Sequence, residues 1–428
     1  MRVHLGVRGS RWQATAFYLG FASAASILFS IAVSQILLAL SLAALFLGGE
    51  KLEFPAIRLP LAVFFTQTAV AVLVSGDPQG GTPQIRKFFV FAIVLVISST
   101  FKTIPHIRNL VLVWAGIGSL SALWALVQFL DRRREAFEQN ADNYGFYLDG
   151  RIKGLASHWM TFGGEEMIVL LMLASWLFFS GNLRRKAWAW PLLALLWASI
   201  TLGMTRSIFL LGVPVGILYL LWRRHWSLVM AVPVLAAAGA ILVSTTLRER
   251  VVSVIRPHGD DSNQQHAIAR RVGWEMVKAH PWFGIGPEQV GRQFDRYLPI
   301  TVQRPLPKGW YGHLHNVYLQ YAAERGIPGL LAVLWLIGKA LVDFIRQLRR
   351  SRAPPEARFV LHGSIAVILA ILAQGLFEYN LGDSEVLTMF LSVVACGYVA
   401  SGCRGTEAVP AQSAELLSAS PINQRPNP

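Results

Sequence analysis

The run AWAWPLLALLWASITLGMTRSIFLLGVPVGILYLLW, residues 187–222, is apolar on both sides of a single cation, Arg206. Its halves, 187–204 and 207–222, approach the roughly 20 apolar residues that an α-helix needs to cross a bilayer. Working outward, similar runs lie near 13–31, 33–48, 58–75, 87–101, 107–130 and 157–180 upstream, and near 226–246, 326–345, 359–376 and 385–402 downstream. The expected fold class is therefore all-α: a polytopic membrane protein of about twelve transmembrane helices. The first run is not read as a cleavable signal peptide, because a second follows almost at once and no small-x-small cleavage site stands out.

Composition agrees. Of 428 residues, 54% are hydrophobic and only 15% charged, against about 25% charged in soluble globular domains. Lys plus Arg number 39 and Asp plus Glu 24, a formal charge of +15. Such apolarity with a basic balance suits membrane spans joined by charged loops and gives no reason to expect a nucleic-acid partner. Cys396 and Cys403 cannot form a disulfide framework, and no Cys/His cluster has zinc spacing. No metal and no cofactor is expected.

Short-loop Lys and Arg set the orientation. With the N-terminus inside, the inner segments carry Arg2, Arg8 and Arg11, Lys51 and Arg58, Lys102 and Arg108, Arg184 to Lys186, Arg223 and Arg224, and Arg346 to Arg358. Residues 1–246 then hold nine spans with an outer loop at 131–156. Residues 247–325 form a large external loop, 326–402 the last three spans, and 403–428 a disordered inner tail. The large loop holds eleven Lys or Arg against seven Asp or Glu. Arginine suits bidentate contact with phosphate, so an anionic ligand is expected at this face.

Within that loop Asn263–Ala279 has helical periodicity, with Ile268, Val272 and Met276 on one stripe and His280-Pro281 ending it. Pro281-Trp282-Phe283-Gly284-Ile285-Gly286-Pro287 reads as a tight turn. Gly309-Trp310-Tyr311-Gly312-His313-Leu314-His315-Asn316 leads into a helix over Val317–Arg325 that breaks at Gly326. Arg151 and Lys153 enter the sixth span from outside and can face a phosphate. Glu165 and Glu166, inside that span, are expected to be buried partners of Arg or Lys, with Lys339 as one candidate. Arg206, costly at the membrane surface unless it is paired or functional, stands out among the cations.

His315-Asn316 followed by Gly326-x-x-Gly329 resembles the signature of the O-antigen ligase and polymerase superfamily. The arginine-bearing helix and His280-Pro281-x-x-Gly284-x-Gly286 resemble the same family's loop lead-in, and the span count and loop position agree. The resemblance implies a C-type glycosyltransferase fold in the bacterial inner membrane. Its active site would face the periplasm and move a glycan from an undecaprenyl-diphosphate carrier to an acceptor. For a ligase the acceptor is lipid A–core. It implies a functional His315, an essential arginine at Arg206, and a second at Arg270 or Arg271.

On this reading His315 is the general base, the arginines hold the departing diphosphate, and direct displacement inverts the anomeric centre without a metal. Asn316 can hydrogen-bond a sugar or the helix start. His313 is the competing base, expected on the opposite side of an extended segment. The alternatives are a polymerase or protein O-oligosaccharyltransferase of the same superfamily, and a lipid-linked saccharide transporter. The absence of internal repeats argues against the transporter.

Overall fold

The computed structural model describes residues 11–49, 51–140, 146, 150–181, 183, 186–225, 261–307, 309–350 and 354–402. Every extended element among them is helical. The helices are α1 (Arg11–Ser26), α2 (Ile31–Leu47), α3 (Arg58–Val74), α4 (Pro78–Arg86), α5 (Ala92–Thr100), α6 (Ile104–Glu138), α7 (Trp159–Phe179), α8 (Ala189–Leu202) and α9 (Val213–Arg223). They continue as α10 (Asp261–Ala279), α11 (Val290–Gln293), α12 (Val317–Arg349), α13 (Arg358–Gln374) and α14 (Ser384–Gly402).

Eleven of the twelve apolar runs coincide with helices. The run at 226–246 lies outside the described residues, as do 247–260 with Arg248, Arg250 and Arg256, and the tail from Cys403 onward. Six helical stretches are long and apolar enough to cross a bilayer; α2, α3, α8 and the Ile208–Arg223 helix are apolar but shorter. The chain is thus a multi-pass membrane protein. Large apolar side chains that a soluble protein would hide are exposed: Leu73, Leu120, Phe46 and Leu47 face outward from the bundle.

The helix ends have local causes. Ser30 caps α2 through Val33 N, and Asp77, followed by Pro78, caps α4 through Gly80 N. His158 caps α7 and Asn316 caps α12. α7 is the central post: 94% of its apolar window is buried, and α6, α8, α13 and α14 pack around it. α6 outruns its expected span. It continues to Glu138, where Arg132–Glu135 and Arg134–Glu138 pairs on successive turns support it beyond the apolar section.

The segment 261–316 has its own small core. Ala269, Val272 and Met276 of α10, with Ile285, Val290, Phe294 and Leu314, close on Ala322 and Ala323 at the start of α12. The expected stripe is therefore the buried face of α10, with Ile268 at its edge. α12 holds the expected break: Gly326 has φ 72°, ψ 173° inside an otherwise continuous helix. Beside it the Pro281–Gly286 turn docks on the α12 backbone. Ile285 N donates to Ala323 O (2.8 Å), Gly286 N to Glu324 O (3.1 Å) and Ile327 N to Pro281 O (2.7 Å). Gln67 of α3 ties the two strips together, donating to both Trp282 O and Arg325 O at 2.8 Å.

Candidate active site

The segment before α12 turns sharply. His315 takes φ +50°, a left-handed conformation rare for a residue with a β-carbon. Its neighbours hold it there. Leu314 is fully buried, and its N donates to Gln320 Oε1 (2.7 Å). Asn316 is engaged at both ends: Oδ1 accepts from Leu319 N (2.8 Å) and Nδ2 donates to Leu376 O (2.8 Å). The structure therefore uses Asn316 as cap and strut, the local alternative to sugar binding.

The left-handed turn overturns the expectation that His313 and His315 lie on opposite sides of an extended segment. Their rings meet edge to face at 4.1 Å and 69°. His266 of α10 stacks on His315 at 4.3 Å and 16°. Three histidines thus share one half-buried cluster. Burial, with the nearby His315 second, pushes the His266 imidazole down to about 2 and His313 to about 3. Both rings are neutral at pH 7, and the Nδ1 of His313 is buried without a hydrogen-bond partner.

His315 differs in having a carboxylate. Glu378 Oε2 lies 3.5 Å from its Nδ1, and both side chains are 9% exposed. The Nε2 lies 3.1 Å from Trp310 O and 3.3 Å from Gln265 Nε2, and Gln265 also donates to Trp310 O. Acceptors therefore face both ring nitrogens. A ring protonated on both nitrogens can donate to Glu378 and to Trp310 O together.

The charges of Arg206 and Arg270 both reach His266. Arg206 starts the helix that follows the break after α8. Met204, two residues earlier, is also left-handed (φ 52°), and a π-turn at Ile208–Gly212 follows. Arg270 stands one turn after His266 on α10, while Arg271 points a further 100° round the helix; both are exposed. At the same end of the bundle, His158 senses Asp383, Arg151, Glu378 and Lys153. Arg151 stacks over the Trp159 ring at 3.9 Å. Gln128 anchors the loop by accepting from Lys153 N and Gly154 N at 3.0 Å.

Several of the loop's counted cations are structural. Arg325 is 1% exposed and pairs with Glu324 at 2.5 Å. Arg292 pairs with Asp77 and Arg304 with Asp295. Lys339 pairs with Asp343 (2.8 Å) and not with the α7 glutamates. Glu165 and Glu166 are buried, each with one carboxylate oxygen lacking a hydrogen-bond partner.

One ligand atom from each of His266, His315 and Glu378 falls within a 4.8 Å group, so a cation is conceivable there. The ring geometry opposes it. Imidazole lone pairs lie in the ring plane, and planes stacked 16° from parallel do not aim them at a common point. Sequence reasoning missed Glu378 and Gln265. Glu378 is 63 residues from His315 with no pattern linking them, and only Gln265's place beside His266 on a buried helix face hinted at its role.

Residues 191–334 match the family model described as O-antigen ligase. The match supports membership of the O-antigen ligase superfamily. A comparison with curated proteins finds no match. The matched segment contains Arg206, all of α10, the docked turn and the His313–Asn316 approach to α12. It thus takes in every element of the histidine cluster except Glu378, which the fold brings in from the α13–α14 connection. That family suggests a glycosyltransferase-like activity of the ligase or polymerase kind, with lipid-linked glycans as its substrate class.

Proposed function

We propose that the chain is an O-antigen ligase. It moves a glycan from undecaprenyl diphosphate to lipid A–core at the periplasmic face of the bacterial inner membrane. The observation that carries this reading is the pairing of His315 with Glu378 in a cluster that Arg206 and Arg270 border. His315 Nε2, exchanging its contact with Trp310 O for one with the acceptor hydroxyl, takes that proton as the oxygen attacks the anomeric carbon. The bond to the diphosphate breaks on the opposite face, so the configuration inverts. Arg206 and Arg270 stabilise the charge gathering on the diphosphate, with Arg271, Arg151 and Lys153 as further contacts. Glu378 orients the imidazole and balances its charge, and His313 and Asn316 border the acceptor. No metal enters the step.

The test uses purified protein in nanodiscs with lipid-linked donor and core acceptor. His315→Ala should lower turnover on the order of 10²–10⁴-fold, the scale of a lost general base, with donor binding intact. Arg206→Ala should weaken donor binding, and Arg206→Lys should restore it poorly, lacking the bidentate fork. Excess EDTA should leave the rate unchanged; loss restored by Mg²⁺ or Mn²⁺ would reinstate a metal. Near-normal turnover of His315→Ala beside a dead His313→Ala would move the base by two residues. In cells, deletion should leave the core uncapped. A core carrying one repeat would point to the polymerase reading instead.

A further inference from the structure

The chemistry above leaves the Pro281–Pro287 turn unused. Its backbone is committed to α12, which leaves the Trp282 and Phe283 side chains outside, 69% and 45% exposed. Behind them lies a cavity of about 330 Å³ between the end of α3 at Val74–Gly76, the end of α10 at His280, and Gln293 and Arg296. Its rim is apolar: Val74, exposed at the last turn of an apolar helix, lines it together with Trp282 and Phe283. Its wall is polar. His280 Nε2 hydrogen-bonds Tyr297 Oη (2.8 Å), and the exposed Arg296 guanidinium sits 5.9 Å from the Tyr297 ring centre. Arg292 and Arg304 have carboxylate partners, whereas Arg296 has none among the described residues.

An apolar, tryptophan-bearing rim level with a helix end and a cationic wall behind it suit one kind of molecule: an amphiphile with a phosphate at its headgroup. α10 joins this cavity to the histidine cluster. His266 and His280 are fourteen residues apart on or just beyond that helix, roughly 21 Å at 1.5 Å per residue. A bulk phospholipid has no headgroup long enough to use that distance; a glycolipid has. We propose that this cavity seats the headgroup phosphate of the glycolipid acceptor, so that its glycan lies along α10 and presents its far hydroxyl to His315. The proposal rests on the ligase reading for the identity of the acceptor, but not for its test.

Binding is read without turnover, by native mass spectrometry of the full-length protein. The titrants are diphosphoryl lipid A, fully dephosphorylated lipid A and phosphatidylglycerol. The diphosphoryl form should bind at least about tenfold more tightly than the dephosphorylated one, the scale of a charge-assisted hydrogen bond. Arg296→Gln should abolish that difference and Arg296→Lys should keep part of it. Trp282→Ala, at an exposed site, should weaken both lipid A forms. Equimolar phosphatidylglycerol should not displace lipid A. An unchanged preference in Arg296→Gln, displacement by phosphatidylglycerol, or no binding to the native protein would each overturn the proposal. Binding as expected with no transfer from a lipid-linked donor would instead sink the ligase reading and leave the cavity's assignment standing.

Discussion

At His315 a left-handed backbone, a carboxylate and a carbonyl act on one imidazole, and each has a separable effect. The φ of +50° swings the ring into the cluster, where Glu378 Oε2 lies 3.5 Å from Nδ1. Glu378→Gln keeps the shape but removes the charge that balances an imidazolium. Turnover should fall on the order of 10²-fold or more with KM for the donor little changed, and the acidic limb of the pH–rate profile should move. A drop with an unmoved profile would make Glu378 a packing residue only. The neighbouring histidines predict a stability effect. Burial first, then the His315, Arg206 and Arg270 charges, holds His266 at about 2, and burial holds His313 at about 3. Unfolded, both titrate near 6.5. Their contribution to stability is therefore complete above pH 6.5 and shrinks as pH falls toward 3, where the unfolded chain binds more protons. The thermal midpoint should drop between pH 7 and pH 4.5, and His266→Gln with His313→Gln should flatten that slope.

The element that decides the site's rigidity is the first half of α12. Gln320 links Leu314 N to Glu324 Oε1 (2.8 Å). Glu324 also accepts from Glu288 N (3.0 Å) and pairs with Arg325, whose Nη2 donates to Gln84 Oε1 (2.8 Å) and Nε to Thr68 Oγ1 (3.2 Å). A buried pair of this kind survives because its remaining hydrogen-bond positions are filled. It fastens α12 to α3, α4 and the docked turn. Gly284 (φ 71°) and Gly326 (φ 72°) permit that docking, since a β-carbon at either would overlap backbone atoms, of Glu324 and of Trp282 respectively. Gly284→Ala should cost at least roughly 1–3 kcal/mol from strain alone and lower the thermal midpoint in detergent. Gly338→Ala on the same helix meets nothing within 4 Å and should leave it unchanged or slightly raised. Equal midpoints for the two would refute the docking role.

For the whole molecule the question is which side the cluster faces. α12 bends at Gly326, and its second part, residues 327–349, is about 35 Å long at 1.5 Å per residue, enough to cross a hydrocarbon core of about 30 Å. His315 stands just before α12 and the exposed Arg349 ends it, so the two are expected on opposite faces. With both native cysteines replaced by serine, Lys278→Cys should react with an impermeant maleimide added to spheroplasts, and Arg349→Cys should react only after permeabilisation. The reverse pattern would invert the molecule and remove its access to an outer-leaflet donor.

Eleven apolar runs, the stripe on α10 and the break at Gly326 were all legible in the chain. Hydropathy, helical period and glycine placement are local properties, and a bilayer enforces them residue by residue. The side-chain partners were not legible. Lys339 and Asp343, four residues apart on α12, are the exception, a pair within reach of the helical period; the burial of Arg325 depends on Gln84 and Thr68, 241 and 257 residues away, and the meeting of His313 with His315 on one left-handed residue. Glu378 reaches His315 only because α13 and α14 pack against α12, a juxtaposition that sequence spacing does not encode. Composition and periodicity determined that the chain is a multi-pass membrane protein, because that follows from transfer free energies summed along the chain. Which of its charges are free to act on a substrate was decided by tertiary packing alone, since pairing and burial exist only once distant helices meet.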